Sequence, residues 1–409
     1  MAQTLKFGNK VWAAKEESVL AYNDINNNYK PLPFSFSRAS IGTRVNKDGL
    51  IETMGQDIAR IDYTDSADGV LLLEPSSTNY DSESENFATS FMSNSNGIQS
   101  SSLVSDVAPD GTTNSVFKIS KVTDNSDPYI GRSGVAFTST NLVFSVWLWT
   151  DSDQPKDVLF LMYRDAVAEI TTKNITLTTT PTRYFIQKTF SNTPSNISYR
   201  IDLSETNSNQ YIYAWGKQVE ALSYPTSYIP TSGSTVTRAA ETCNNSGNSE
   251  VFNDSEGVLF ANVKYLTETA SFNRSITISD NTINNRLQIT LLTNGQLLVL
   301  YQDSSGNQTM QTTNNLAQFN KIALSYGSNS LSFYLNGIEV GNILGDFSSM
   351  NSLQTLRFDN TISEDLYGKT KEVGYYDTAL TDLELETLTS YRNWVSMVNE
   401  LNLNIIYNG

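Results

Sequence analysis

The sequence predicts an all-β fold: tandem antiparallel β-sandwiches of the jelly-roll kind, preceded by a short N-terminal region and ended by one helix. Two observations carry this. Alternating stretches rich in β-branched and aromatic residues recur along most of the chain, punctuated by Gly, Asn, Ser and Asp. Amphipathic helical segments do not alternate with them, which argues against parallel βαβ units and for antiparallel sheets.

The elements follow in order. Residues 1 to about 80 are interrupted by NDINNNYKPLPF and are too short for a large core of their own, so they are read as an attachment or oligomerisation region. Residues 81–235 hold the strands SVFKIS (Ser115 to Ser120), LVFSVWLW (Leu142 to Trp149), VLFLMY (Val158 to Tyr163), TRYFIQKTF (Thr182 to Phe190) and YIYAWGKQVEA (Tyr211 to Ala221). Pro225 and Pro230 cannot donate ladder hydrogen bonds and mark where the last strand stops. A boundary is expected near residues 232 to 250, in polar sequence that includes Cys243 on a surface linker. Residues 245–395 hold RLQITLLT (Arg286 to Thr293), QLLVLYQD (Gln296 to Asp303) and LSFYLNGIEVG (Leu331 to Gly341), in which Asn336-Gly337 is a hairpin turn signal. In LTDLELETLTSYRNWV (Leu380 to Val395), Thr381 and Glu384 form a capping box, and Leu380 and Leu385 a hydrophobic staple. Leu388, Tyr391 and Val395 continue that face. Residues 396–409 are a C-terminal tail.

Composition excludes several chemistries. The 409 residues contain no histidine, which removes Ser-His-Asp and Cys-His nucleophile systems and His-ligated metals. Lys+Arg total 27 against Asp+Glu 43, a formal charge of -16, which disfavours nucleic acid and anionic membrane surfaces. No window approaches the roughly 20 apolar residues of a bilayer span, and the first residues lack the apolar core of a secretory signal. A single cysteine cannot form an intrachain disulfide.

A sugar needs an aromatic platform flanked by polar groups, because a pyranose presents an apolar C–H face and a hydrogen-bonding edge. Trp147 and Trp149 share one face of their strand by alternation, with Val146 and Leu148 on the other. Trp215 lies on the same face of its strand as Tyr211 and Tyr213. These three tryptophans are the candidate carbohydrate-binding residues, and packing into the core is the competing reading. The carboxylate pairs Glu83/Glu85 and Asp151/Asp153 sit roughly 6.5–7 Å apart if extended, near the lower limit for an inverting glycosidase pair. Both lie in Ser/Asp-rich loop sequence, and catalytic carboxylates usually come from separated segments, so the chain is read as no enzyme. No cofactor is expected. Thr123 to Tyr129 and Asp151 to Asp157 offer oxygen ligands suited to a structural calcium, without EF-hand spacing.

Two resemblances add to this reading. FSRASIGTRVNKDGLIETMGQDIARIDY (Phe36 to Tyr63), GVLLLEPSSTN (Gly69 to Asn79) and WGKQVEALSYPTSYIPTSGSTVTRAAE (Trp215 to Glu241) resemble, in order, phrases of bacteriophage virion fibre and adhesin proteins. That resemblance implies a virion structural protein of head or tail, assembled in the host cytoplasm and released by lysis. It also implies attachment to other virion proteins through the N-terminal region, a homotrimer, and display toward host surface glycans. A tail polysaccharide depolymerase and a capsid decoration protein without sugar binding are the alternatives. Residues 81–235 resemble carbohydrate-binding-module jelly rolls. EVGYYDTALTDLELETL (Glu372 to Leu388), with Tyr334, Asn336 and Gly337, resembles concanavalin A-like, laminin-G-type domains, some of which bind sugars.

Overall fold

The structure is a computed structural model. It describes residues 4–8, 12–20, 31–88, 93–94, 98–104, 106–122, 128–135, 137, 139–152, 157–164, 169–203, 210–266, 272–312 and 319–400. Among the described residues the chain is all-β with antiparallel pairing and two short helices, and it divides into two compact units.

The first unit combines Met1–Ala39, Met54–Pro75 and Ala240–Gly409. Its larger sheet is centred on Gly257–Tyr265 and Gly368–Tyr376, which pair antiparallel. On one side follow Asn320–Tyr326, Ser330–Leu335 and the edge strand Ile338–Leu344. On the other follow Val70–Leu73 and Arg60–Asp62, and Leu5–Gly8 also pairs with Gly368–Tyr376. The second sheet runs Gly306–Gln311, Leu297–Asp303, Arg286–Leu291, Arg274–Ser279, Thr355–Arg357. Alternation sets the core: Leu259, Ala261 and Val263 face Ile276, Ile278, Leu287 and Ile289 in one continuous cluster, whereas Val258 and Phe260 pack outward beneath the first helix.

The N-terminal stretch is therefore no separate region in its packing. Leu5, Phe7, Val19, Phe34, Phe36, Ile61, Leu71 and Leu73 all belong to the core of this unit. Short strands with one apolar face gain more by extending an existing sandwich than by burying themselves alone. Cys243 corrects a second expectation. It sits on the strand Thr242–Asn244, paired with Phe34–Ser37, and is 1% exposed within the same core, so it is no surface-linker thiol.

Residues from the three phrases of 36–63, 69–79 and 215–241 meet here. Arg38, Arg60, Glu74 and Glu241 form a buried ion network, with Arg38 Nη1 2.7 Å from Glu241 Oε1 and Arg60 Nη1 2.8 Å from Glu74 Oε2. Arg60 also donates to both Glu241 oxygens, at 2.8 Å from Nε and closely from Nη2. The backbone N–H of Glu74 donates to Glu241 at 2.9 Å, and Arg38 Nη2 to the Gly55 carbonyl at 2.5 Å. Burial alone pulls the Arg60 pKa down, but the carboxylates of Glu241 and Glu74 override it and hold it above its ordinary value.

The hairpin turn is as expected: Asn336 and Gly337 have φ of 52° and 86° between the strands Ser330–Leu335 and Ile338–Leu344. The capping box is also present, Glu384 N–H donating to Thr381 Oγ1 and Thr381 N–H to Glu384 Oε2. The single helix expected to reach Val395 is instead two, Asp382–Thr389 and Trp394–Glu400. Asn393 Oδ1 accepts the Ser396 N–H at 2.9 Å while Ser396 Oγ accepts the Asn393 N–H at 3.1 Å, a second reciprocal cap that restarts the helix. Val395 is consequently 57% exposed instead of continuing the buried face. Replacing Thr381 with Ala is expected to lower stability by about 1 kcal/mol, read from the urea midpoint.

The second unit combines Ser40–Thr53 and Ser76–Ala239. It is a sandwich of two five-stranded sheets. One runs Ile98–Val104, Val116–Lys121, Tyr211–Glu220, Asn141–Trp149, Thr182–Thr189; the other Ser93–Asn94, Tyr129–Val135, Ile197–Asp202, Asp157–Arg164, Glu169–Thr176. Phe144, Val146, Leu148, Ile212 and Ala214 face Phe160, Met162, Tyr199 and Ile201 across the core.

Candidate ligand-binding site

The predicted tryptophan face exists, on the outside of the sandwich. Trp147 pairs with Trp215 and Trp149 with Tyr213 across neighbouring strands. The Trp147 and Trp215 rings meet edge-on at 5.4 Å, and Trp149 stacks on Tyr213 at 5.5 Å. Gly216, at φ 63°, brings the backbone against the Trp147 ring, where a Cβ would lie 2.9 Å from it.

The face is covered. The segment after Pro225 returns so that Tyr228 lies 4.7 Å from Trp215 and 5.5 Å from Trp147. Trp215 is 0% and Trp149 5% exposed, so neither offers a free ring face. Trp147 is half-buried, with the Arg183 guanidinium over its ring at 4.5 Å. Arg183 is itself held by the Thr226 carbonyl and Ser145 Oγ, at 2.5 and 2.9 Å. Asp151 accepts hydrogen bonds from Tyr211 and Tyr213, at 2.6 and 3.2 Å, and burial followed by this carboxylate raises the Tyr213 pKa. Asp151 is thus committed to tyrosines. Asp153 and most of Thr123 to Tyr129 lie outside the described residues. Among the described residues, no three histidine, cysteine or carboxylate side chains converge.

The other carboxylate pair lines a cleft. Glu83, Glu85, Asn86, Phe117, Pro230, Thr231 and Ser232 line an open depression of about 470 Å³. The segment Asp81 to Asn86 forms one wall because it is tied on two sides. Thr231 N–H donates to Ser84 Oγ and Gly233 N–H to Glu83 Oε1, both at 2.9 Å. Behind it Lys217, 0% exposed, donates to the Glu83 and Asn86 carbonyls and lies 3.8 Å from Asp81 Oδ1. Burial lowers the Lys217 pKa to about 8, against the pull of Asp81. Asp81 also receives Tyr199 Oη and, at 3.2 Å, Arg132 Nη1. These buried charges fix the wall from which the two glutamates project.

Glu83 and Glu85 are in different surroundings. Tyr228 Oη donates to Glu85 Oε1 at 3.1 Å. Partial burial raises the Glu85 pKa above the usual carboxylate range, with this hydrogen bond opposing the rise. The cleft therefore offers acceptors of two kinds, a hydroxyl from Ser232 and an amide from Asn86, against an apolar wall of Phe117 and Pro230. Sequence reasoning noticed Glu83 and Glu85 as a pair but not Lys217, Asn86, Phe117, Thr231 or Ser232. No local pattern links residues about 145 positions apart, and the burial of Lys217 that makes it seek their carbonyls is set by the fold.

No protein-family model and no curated protein matches the chain. Solved structures are similar to parts of it. The CBM40 of Ruminococcus gnavus IT-sialidase is 13% identical, over 36% of this chain and 92% of that one, with a TM-score of 0.30. Domain 4 of AbnA, a GH43 extracellular arabinanase from Geobacillus stearothermophilus, in complex with arabinotriose, is 16% identical, over 41% and 84%, with a TM-score of 0.31. The N-terminal CBM22-1-CBM22-2 tandem domain of Paenibacillus barcinonensis Xyn10C is 10% identical, over 74% and 97%, with a TM-score of 0.27.

Proposed function

We propose that the protein binds glycans through the cleft of the second unit, as a surface-attachment protein of a bacteriophage particle. The observation that carries the binding is the lining itself: carboxylate, amide and hydroxyl groups converge on about 470 Å³ against Phe117 and Pro230. That is the pairing of hydrogen-bonding edge and apolar wall that a pyranose requires. The particle, the attachment to other virion proteins and the homotrimer rest on the phrases of residues 36–63, 69–79 and 215–241; multivalency would raise weak sugar affinity without new contacts. Electron microscopy of the particle tests that part. Copies at the tail tip support attachment, and copies spread flat over the capsid favour decoration.

The Glu83 and Glu85 side chains accept from sugar hydroxyls in this reading. On an array of neutral oligosaccharides, Glu83→Gln and Glu85→Gln are each expected to weaken binding about tenfold, the loss of one charged hydrogen bond. The raised Glu85 pKa sets the pH sign. As pH falls, Glu85 protonates earlier than an ordinary carboxyl, so wild-type affinity declines already above the usual carboxylate range. Glu85→Gln removes that part of the profile. Unchanged affinity in both variants, with the protein folded, would remove the cleft from the proposal.

A second reading has one observation in its favour: two carboxylates of unlike environment share the cleft, as a glycosidase acid and its partner do. They project from one short segment instead of facing each other, so binding is preferred. Release of reducing ends from polysaccharide by the wild type, abolished in Glu85→Gln, would reverse that preference.

A further inference from the structure

One sheet edge of the first unit is open and apolar. Ile338–Leu344 pairs with Ser330–Leu335 on one side, and among the described residues no strand pairs with its other side. An edge strand turns every second N–H and C=O away from its neighbour, so this side presents a row of donors and acceptors. Its side chains do not guard it. Leu344 is 84%, Ile338 69% and Val340 37% exposed, and Glu339 is the one charged residue of the seven. The outer strands of the second unit carry charges instead, Arg183 and Lys188 on Thr182–Thr189 and Glu169 and Lys173 on Glu169–Thr176. Ile338–Leu344 has a bulge at Val340, between the pairs Tyr334 with Glu339 and Phe333 with Gly341, and neither Lys nor Pro.

The chain itself supplies a segment of matching chemistry. Residues 401–409, LNLNIIYNG, lie outside the described residues, and their sequence alternates. Leu401, Leu403, Ile405 and Tyr407 fall on one side of an extended chain and Asn402 and Asn404 on the other, with no charged side chain and no proline to oppose pairing. The segment starts close by. Gly337 N–H donates to Thr389 Oγ1 at 3.1 Å and Lys321 Nζ to the Ser390 carbonyl at 2.6 Å, which hold the end of the first helix at the turn leading into Ile338. The second helix, Trp394–Glu400, begins four residues after Ser390, is about 10 Å long, and buries Val398. Leu401 therefore emerges at most about 30 Å from Ile338, and the nine residues from Leu401 span about 30 Å when extended, so the segment reaches the edge.

We propose that residues 401–407 dock on Ile338–Leu344 of the same chain as an added strand of this sheet. Main-chain hydrogen bonds hold the segment, and its apolar side chains cover Ile338, Val340 and Leu344. An edge closed in this way no longer templates pairing with other chains, the hazard of a long apolar edge left open. The docking surface lies in the first unit and does not depend on the cleft of the second.

Hydrogen exchange of the full chain, read by mass spectrometry on peptides spanning residues 338–344, tests it. In the wild type the whole strand is expected to be protected, equally at high and low protein concentration. Leu403→Pro with Asn404→Pro removes a ladder donor from either side of the segment. About half the amides of Ile338–Leu344, the outward-facing ones, should then exchange at least tenfold faster, while those of Asn320–Tyr326 stay slow. Unchanged exchange in the variant would overturn the proposal. So would wild-type protection that fades on dilution, which assigns the edge to a second copy. Should the variant lose protection throughout the sheet, spin labels at Asn342→Cys and Asn404→Cys in an otherwise wild-type chain decide, because Cys243 is 1% exposed and stays unlabelled. The expected separation is under about 25 Å, one strand spacing plus the label arms, and it persists when labelled chain is diluted with unlabelled. A longer separation, or one lost on that dilution, would overturn the proposal. Failure of the cleft variants to alter glycan binding leaves all of these readouts untouched, so the two readings fail separately.

Discussion

Replacing Glu241 with Gln is expected to destabilise the protein by about 3–5 kcal/mol, among the largest effects of any conservative change in the chain. Glu241 is the shared acceptor of Arg38 and Arg60, and all three side chains are 0% exposed. Its loss leaves two buried guanidinium groups with Glu74 as the remaining carboxylate of the network. The magnitude comes from uncompensated burial of charge, and not from the pair's own attraction, which desolvation largely offsets. Glu52→Gln is the control, because Arg44 and Glu52 also pair, at 2.9 Å, but with side chains 21% and 43% exposed. That change should cost no more than about 1 kcal/mol. Urea unfolding of both variants decides it: losses of similar size would mean that the network is not desolvated as the structure has it.

Replacing Trp215 with Ala is expected to cost about 3–5 kcal/mol through the cavity left between Trp147 and Tyr228. This outcome separates two roles the sequence leaves open for one residue. A sugar platform loses affinity and little stability when truncated, because its ring face is free before binding. A ring that is 0% exposed loses stability first. Trp147→Ala, at a half-buried ring, should cost less. Thermal midpoints with glycan-array binding give the answer, and an unchanged midpoint with abolished binding in Trp215→Ala would restore the platform reading.

Much of the fold was legible because local rules set it. Leu142 to Trp149 and Tyr211 to Ala221 alternate with period 2, and the structure separates Val146, Leu148, Ile212 and Ala214 from Trp147, Trp149, Tyr213 and Trp215 as alternation requires. The turn at Asn336-Gly337 and the box of Thr381 with Glu384 need only neighbouring residues. The same locality explains a miss, since Asn393 and Ser396 form a second box that the continuing apolar spacing concealed. The candidate site was half legible: the pair Glu83 and Glu85 was visible as residues, while the cleft around it was not.

The sequence by itself determined which stretches are strands, which side of each is apolar, where a helix begins, and that histidine chemistry is absent. Tertiary structure alone decided that Leu5, Phe34 and Leu71 share a core with residues 240–400, and that Arg38 meets Glu241 across 203 positions. It also decided that Tyr228 closes over the tryptophans and that Lys217 braces the cleft wall. The physical reason is range. Backbone dihedrals and alternation are fixed within a few residues, whereas burial is fixed by whatever the topology lays against a face, and that partner leaves no mark on the local pattern.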